Sequence, residues 1–216
     1  MPGCGNFNIL STIKHALTEL GIEPWEVLVV SGIGQSGKLP HYIRCYTFNG
    51  LHGRTLPVAT AAKLTNHFLH VIAVAEDGDC YGEGGNHFLH TIRRNPDISL
   101  FVHNNQIYGL TKGQASKGTL TKIQPYGVPE EPLNSLALAI SQNCGFVARG
   151  FSGDQDYLED LMKVAIKHKG FSLLDILQPC ITFNKINNFK WYRTRVSKLE
   201  EVYDPYTSLK AFERSF

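Results

Sequence analysis

Two short polar turns carry most of the chemistry in this 216-residue chain. Glu76-Asp77-Gly78-Asp79 follows the apolar run Val71 to Ala75, and Asn104-Asn105 closes the apolar run Ser99 to His103. Gly82 to Arg94, between them, is helical in length and pattern, so the stretch predicts two parallel strands joined by a crossover helix. A right-handed crossover leaves both turns at the carboxyl ends of the strands, where ligands of open α/β sheets bind. Asp77 and Asn105, 28 positions apart (105 − 77), thus present a carboxylate and an amide oxygen at one edge. With a backbone carbonyl they suit Mg²⁺, a hard ion that takes few protein oxygens and completes its octahedron with phosphate oxygens and water. The ligand implied is a metal diphosphate. Asp, Asn and Gly are also the default residues of turns, so taken alone the pattern reads equally well as ordinary turn chemistry.

The flanking residues narrow the choice. Asp77-Gly78 with Asn104-Asn105 beyond the helix resembles the thiamine-diphosphate motif GDG followed by NN. The run GGNHFLHTIRRNPDISLFVHNNQIYGLTKGQ is similar to the β subunit of the 2-oxoacid:ferredoxin oxidoreductases, nearest the bacterial 2-oxoglutarate type. The resemblance spans Pro2 to about Phe216. It implies a three-layer α/β/α thiamine-diphosphate-binding fold with a mostly parallel sheet, one domain over residues 1–216, ending earlier than its relatives do. It implies Asp77, Asn105 and the Ile107 carbonyl as Mg²⁺ ligands, and Asp77, Gly78, Asp79, Asn105, Ile107, Gly109, Leu110 and His52 as cofactor-binding residues. Lys38 and Lys112 are the cations assigned to the substrate carboxylates. The activity implied is oxidative decarboxylation of a 2-oxoacid, 2-oxoglutarate above others, with electrons passing through an iron–sulfur cluster to ferredoxin and the acyl group to coenzyme A. The carboxylate that activates the aminopyrimidine belongs to a partner α subunit, so this chain alone is expected to be inactive.

The chain departs from the family at several places. Glu76 stands where the family has Gly, putting a second carboxylate beside a diphosphate site. Turned to solvent or toward Arg54 its repulsion would be screened, and Glu76→Gly is expected to tighten cofactor binding. The family's four-iron four-sulfur (4Fe-4S) site opens with Cys-Pro-Gly-Cys, whereas this chain reads Met1-Pro2-Gly3-Cys4; a thioether is a poor ligand for iron. Gln35 replaces a further cluster cysteine. Cys4 and Cys180 match the pattern, and Cys45 is the candidate for a missing thiolate. These departures support a rival reading, a non-catalytic paralogue keeping fold and subunit interface, or a thiamine-diphosphate decarboxylase without redox chemistry.

Other signals are weaker. Gly32-Ile33-Gly34-Gln35-Ser36-Gly37 spells the dinucleotide fingerprint, but Pro40 interrupts the helix it requires and no Asp or Glu occurs from Val27 through Ala75 to hold a ribose. The repeated HFLH at residues 67–70 and 87–90 has no third ligand near it for zinc. Gln114 to Pro132 reads as a long functional loop. At 24.1 kDa, 43% hydrophobic and formal charge +2, the chain reads as globular with a sizeable core, and neither nucleic acid nor membrane is an expected partner. No run approaches the roughly 20 apolar residues of a membrane span. Without a basic-then-apolar leader the expected location is cytoplasmic, and five scattered cysteines argue against a disulfide framework.

Overall fold

The structure, a computed structural model, describes residues 3–108, 114–115, 133–199, 204 and 206–216. Six parallel strands form the sheet: β1 Val27–Ser31, β2 Tyr46–Asn49, β3 His70–Glu76, β4 Ile98–Asn104, β7 Phe146–Phe151 and β8 Ser172–Leu177, in the order β2-β1-β3-β4-β8-β7. Every residue of β4 and β8 is buried, as unbroken apolar runs require when helices cover both faces. On one face, α1 (Gly5–Glu19) and α5 (Gln155–Lys167) bury Ile9, Ile13, Leu158 and Met162 against Val29, Ile72, Val74 and Phe101. On the other, α2 (Thr55–Thr65), α3 (Gly85–Arg94) and α4 (Ser135–Ser141) bury Leu56, Ala59, Phe88, Ile92 and Ala139 against Ala73, Leu100, Val102 and Leu173. This is the expected three-layer α/β/α arrangement.

The crossover unit forms as read, with β3 and β4 paired in parallel from Val71↔Ile98 to Glu76↔His103. Its helix is not continuous. A π-helical turn, Gly78–Glu83, precedes α3, and such turns recur at functional sites because they re-aim side chains. A two-residue strand β5 (Ile107–Tyr108) pairs antiparallel with β6 (Gln114–Ala115) just beyond the second polar turn. Most of the expected loop of residues 114–132 lies outside the described residues. α6 (Phe189–Arg193) and α7 (Ser208–Arg214) follow the sheet. No described helix is long and apolar enough to cross a membrane.

Candidate functional site

Both polar turns emerge at the carboxyl edge of adjacent central strands. The Asp77 Oδ1 atom accepts the backbone N–H of Asn105 at 3.1 Å, and the Asn105 Oδ1 atom accepts the N–H of Ile107 at 2.8 Å. Asp77 is 1% exposed and Asn105 6%. Between the two ligand candidates Gln106 adopts φ 62°, a left-handed conformation costing a non-glycine residue about 1–2 kcal/mol. That reversal lets Ile107 double back onto the Asn105 side chain. Strain of this kind persists where the surroundings over-determine it, often at ligand sites.

Three carboxylates, Glu76, Asp77 and Asp79, lie buried within four residues. Asp79 is strapped by its own chain: Oδ1 accepts the N–H groups of Ile33 (3.1 Å) and Gly53 (2.8 Å), Oδ2 accepts the Thr55 hydroxyl (3.2 Å), and His52 Nε2 stands 3.7 Å from Oδ1. Burial raises its pKa against the pull of those donors. Glu76 neither turns to solvent nor meets Arg54. It is 6% exposed, and Oε1 accepts the N–H groups of Gln35 (2.6 Å) and Ser36 (3.2 Å); these donors, and to a smaller degree the Asn105 side chain, favour its charged form. Burial first, then the neighbouring Asp77, lifts its pKa to about 7.

The glycine loop is thereby explained. A Cβ on Gly32 would meet Asp79 Oδ2, and one on Gly34, at φ +109°, would meet the Glu76 carboxylate. These glycines admit two carboxylates of the same chain. Ser36–Tyr42, which follows, is a 3₁₀ helix containing Pro40, so the loop does not present the α-helix N-terminus that a dinucleotide needs.

Beneath the edge, Asp175 is fully buried and accepts Arg149 Nε (3.0 Å), Tyr81 Oη (2.9 Å) and Asn104 Nδ2 (3.1 Å). The network ties β4, β7, β8 and the π-helical turn directly below Asn105. His103, between Val102 and Asn104 on β4, points to the opposite face and is fully buried against α1, its Nδ1 2.6 Å from Asn6 Oδ1. Asn6 spends its amide nitrogen on Cys4 Sγ, so its oxygen faces the imidazole and the proton sits on Nδ1. Burial depresses the His103 pKa to about 3.

Residues 32–176 match the C-terminal thiamine pyrophosphate (TPP) binding domain of thiamine pyrophosphate enzymes, and residues 180–216 match the C-terminal region of the pyruvate ferredoxin oxidoreductase β subunit. The chain is 49% identical over 206 residues to the 2-oxoacid:ferredoxin oxidoreductase β subunit of Saccharolobus solfataricus, covering 93% of this chain and 68% of that protein. The chain belongs to the β subunits of the 2-oxoacid:ferredoxin oxidoreductases. It is 41% identical over 187 residues to the 2-oxoglutarate oxidoreductase subunit KorB of Mycobacterium tuberculosis, covering 85% of this chain and 50% of that protein. A solved 2-oxoglutarate:ferredoxin oxidoreductase from Magnetococcus marinus, with 2-oxoglutarate, coenzyme A and succinyl-CoA bound, superposes with a TM-score of 0.97 at 36% identity, over 100% of this chain and 75% of that one.

Against the family's cluster pattern the cysteines divide. Cys4 caps the start of α1, takes hydrogen bonds from Asn6 Nδ2 and Gln178 Nε2, both at 3.5 Å, and lines a cleft of ≈ 530 Å³ with Phe7 and Arg193. Cys180 lies two residues beyond Gln178, so both thiols belong to the carboxyl edge. Cys45 does not join them. It precedes Tyr46, which pairs with Leu28 at the amino end of β2, and packs against the core cluster of α1 and α5. Four strand intervals, roughly 19 Å at the usual spacing, separate β2 from β8. The expectation that Cys45 supplies the missing thiolate is therefore corrected. Cys80 is fully buried, and position 35 is Gln. Two thiols do not fit a four-thiolate cluster, and among the described residues no group of three or more His, Cys, Asp or Glu side chains could hold a metal ion. Lys38 is exposed on the 3₁₀ helix. Gly109, Leu110, Lys112 and Met1 lie outside the described residues.

The β-subunit pattern did not point to Asp175, Arg149 or His103 as part of the site. Their signal was polar residues interrupting apolar strands, which is visible in the sequence only once those strands are known to be covered on both faces.

Proposed function

We propose that this chain binds the diphosphate end of thiamine diphosphate through Mg²⁺ and serves, with an α subunit, in the oxidative decarboxylation of a 2-oxoacid, 2-oxoglutarate in the first instance. The observation carrying the reading is the 3.1 Å contact that seats Asn105 against Asp77 at the carboxyl edge. A divalent cation fits the donor set: one carboxylate, one amide oxygen and the Ile107 carbonyl, in a turn where three buried carboxylates concentrate negative charge. Asp77, Asn105 and Ile107 would hold the metal, with Gly78, Gly109 and Leu110 along the diphosphate. Asp79 and His52 hold the neighbouring loops rather than the metal. Bound thiamine diphosphate supplies a carbanion for attack on the keto carbon and a sink for the electrons left when CO₂ departs. The protein orients the cofactor and excludes water, and Lys38 and Lys112 are the cations proposed for the substrate carboxylates.

Coenzyme A as acyl acceptor and 2-oxoglutarate as substrate are taken from the Magnetococcus marinus complex and the KorB relatives; ferredoxin is the proposed electron acceptor. The comparisons do not favour the non-catalytic or non-redox readings. The test is turnover by the chain co-purified with its α subunit, with coenzyme A and a viologen acceptor. We expect acyl-CoA formation from 2-oxoglutarate that needs both subunits. Turnover of pyruvate but not 2-oxoglutarate would contradict the substrate, and activity of the β chain alone would contradict the division of labour.

A further inference from the structure

We propose that Glu76 is a positioning residue for the cofactor turn: its carboxylate ties the Gly32–Gly37 loop to the end of β3 and fixes which end of the Asn105 amide faces the metal site. The inference rests on the metal-diphosphate reading of that turn. An asparagine amide is nearly symmetric in shape, so its orientation is set by partners rather than by packing. Here the oxygen end accepts the Ile107 N–H at 2.8 Å, which leaves the nitrogen end for the side of the Glu76 carboxylate, whose charged form the Asn105 side chain favours. A flipped amide would set NH₂ against the Ile107 N–H, losing that bond, and would turn its oxygen toward the carboxylate. The oxygen retains a second lone pair, the one a hard cation takes.

The same carboxylate holds the loop. Gln35 and Ser36 donate their N–H groups to Oε1 at 2.6 and 3.2 Å, and Gly34 leaves the space that the carboxylate fills. Two backbone donors converge on a side chain that is 6% exposed, so the carboxylate is directed into the protein rather than at a bound anion. Removing it would leave the N–H groups of Gln35 and Ser36, the latter buried, without their acceptor and the Asn105 amide held by Ile107 alone. Glu76→Gly is therefore expected to weaken cofactor binding, opposite to what a bare count of charges suggests.

Two variants with two readouts test this. Backbone hydrogen exchange, measured without cofactor, should speed up about tenfold at Gln35 and Ser36 in Glu76→Gly, because donors held by a charged acceptor lose it. Calorimetric titration with Mg²⁺ and thiamine diphosphate should show binding weakened by about tenfold in the same variant. Glu76→Gln keeps an oxygen for the loop but turns an NH₂ group toward Asn105. It should retain the exchange protection and still bind the cofactor more weakly. Tighter binding by Glu76→Gly, or exchange and binding like wild type in both variants, would overturn the proposal. If wild-type protein does not bind the cofactor at all, the functional reading fails, and the exchange data alone still decide whether Glu76 holds the loop.

Discussion

Three buried ionisable side chains at the edge are held by different means, and the means decide how each responds to pH. Asp79 and Glu76 are surrounded by backbone N–H donors, whereas His103 has one neutral partner, Asn6, and its Nε2 has no partner among the described residues. Its folded pKa of about 3 lies below the ordinary value of 6.5, so between those values the unfolded chain binds the extra proton. Stability contributed by the neutral imidazole is full above about pH 6.5 and is lost as pH falls toward 3. From pH 7 to pH 5 this group alone costs about 2 kcal/mol. Glu76 works in the opposite direction, since its folded pKa of about 7 exceeds the ordinary 4.5: its contribution is present below 4.5 and lost as pH rises through 7. The measurement is therefore a difference. Urea unfolding of wild type and His103→Gln at pH 5 and 7, without added metal, should show the variant losing about 2 kcal/mol less on acidification. Equal losses would mean that the imidazole is protonated in the folded protein.

At the scale of elements, the site is made by strand ends whose relative positions a buried polar network enforces. Asp175 on β8 receives side chains from β4, β7 and the π-helical turn. Asp175→Ala would leave a guanidinium, a phenol and an amide without their common acceptor, an expected loss of about 3–5 kcal/mol, read as a lower urea midpoint at unchanged slope. A loss below about 1 kcal/mol would show that the network rearranges instead of breaking. The elements themselves were legible to different degrees. β3 and β4 announce themselves as uninterrupted apolar runs, and α1 by its stop at Gly21, where φ of +64° and the bonds Gly21 N→Thr18 O and Ile22 N→Leu17 O close the helix. β2 could not be read, because all four residues of Tyr46–Asn49 are exposed and an edge strand with no buried face carries no alternation. The π-helical turn is not legible as one: its first residues, glycines and acids, read as a polar turn, and only Gly82 and Glu83 fall within the expected helix. Asp77 and Asn105 were legible as a pair because two parallel strands leave their next residues side by side. Glu76 was visible as an intruder, but its partners lie some 40 residues upstream, beyond any local pattern. Cys45 was placed by sequence order alone, and the register of β1 with β2 carries it to the other end of the sheet.

For the whole molecule, the chain is one part of an enzyme: a sheet that presents a cofactor-binding edge, with the remaining catalytic groups expected from an α subunit. The proposed function requires that edge to hold Mg²⁺ and diphosphate through Asp77 and Asn105. Asp77 stands on a turn beyond the end of β3, outside the apolar core clusters, and accepts the Asn105 N–H, so Asp77→Ala should leave the sheet folded while removing the only carboxylate assigned to the metal. Calorimetric titration of thiamine diphosphate into wild type and Asp77→Ala, each with Mg²⁺ and again with chelator, is the most direct test. The predicted result is saturable binding by wild type that vanishes with chelator, and no binding by a variant that unfolds cooperatively like wild type. Binding by Asp77→Ala with unchanged affinity, or wild-type binding indifferent to Mg²⁺, would contradict it.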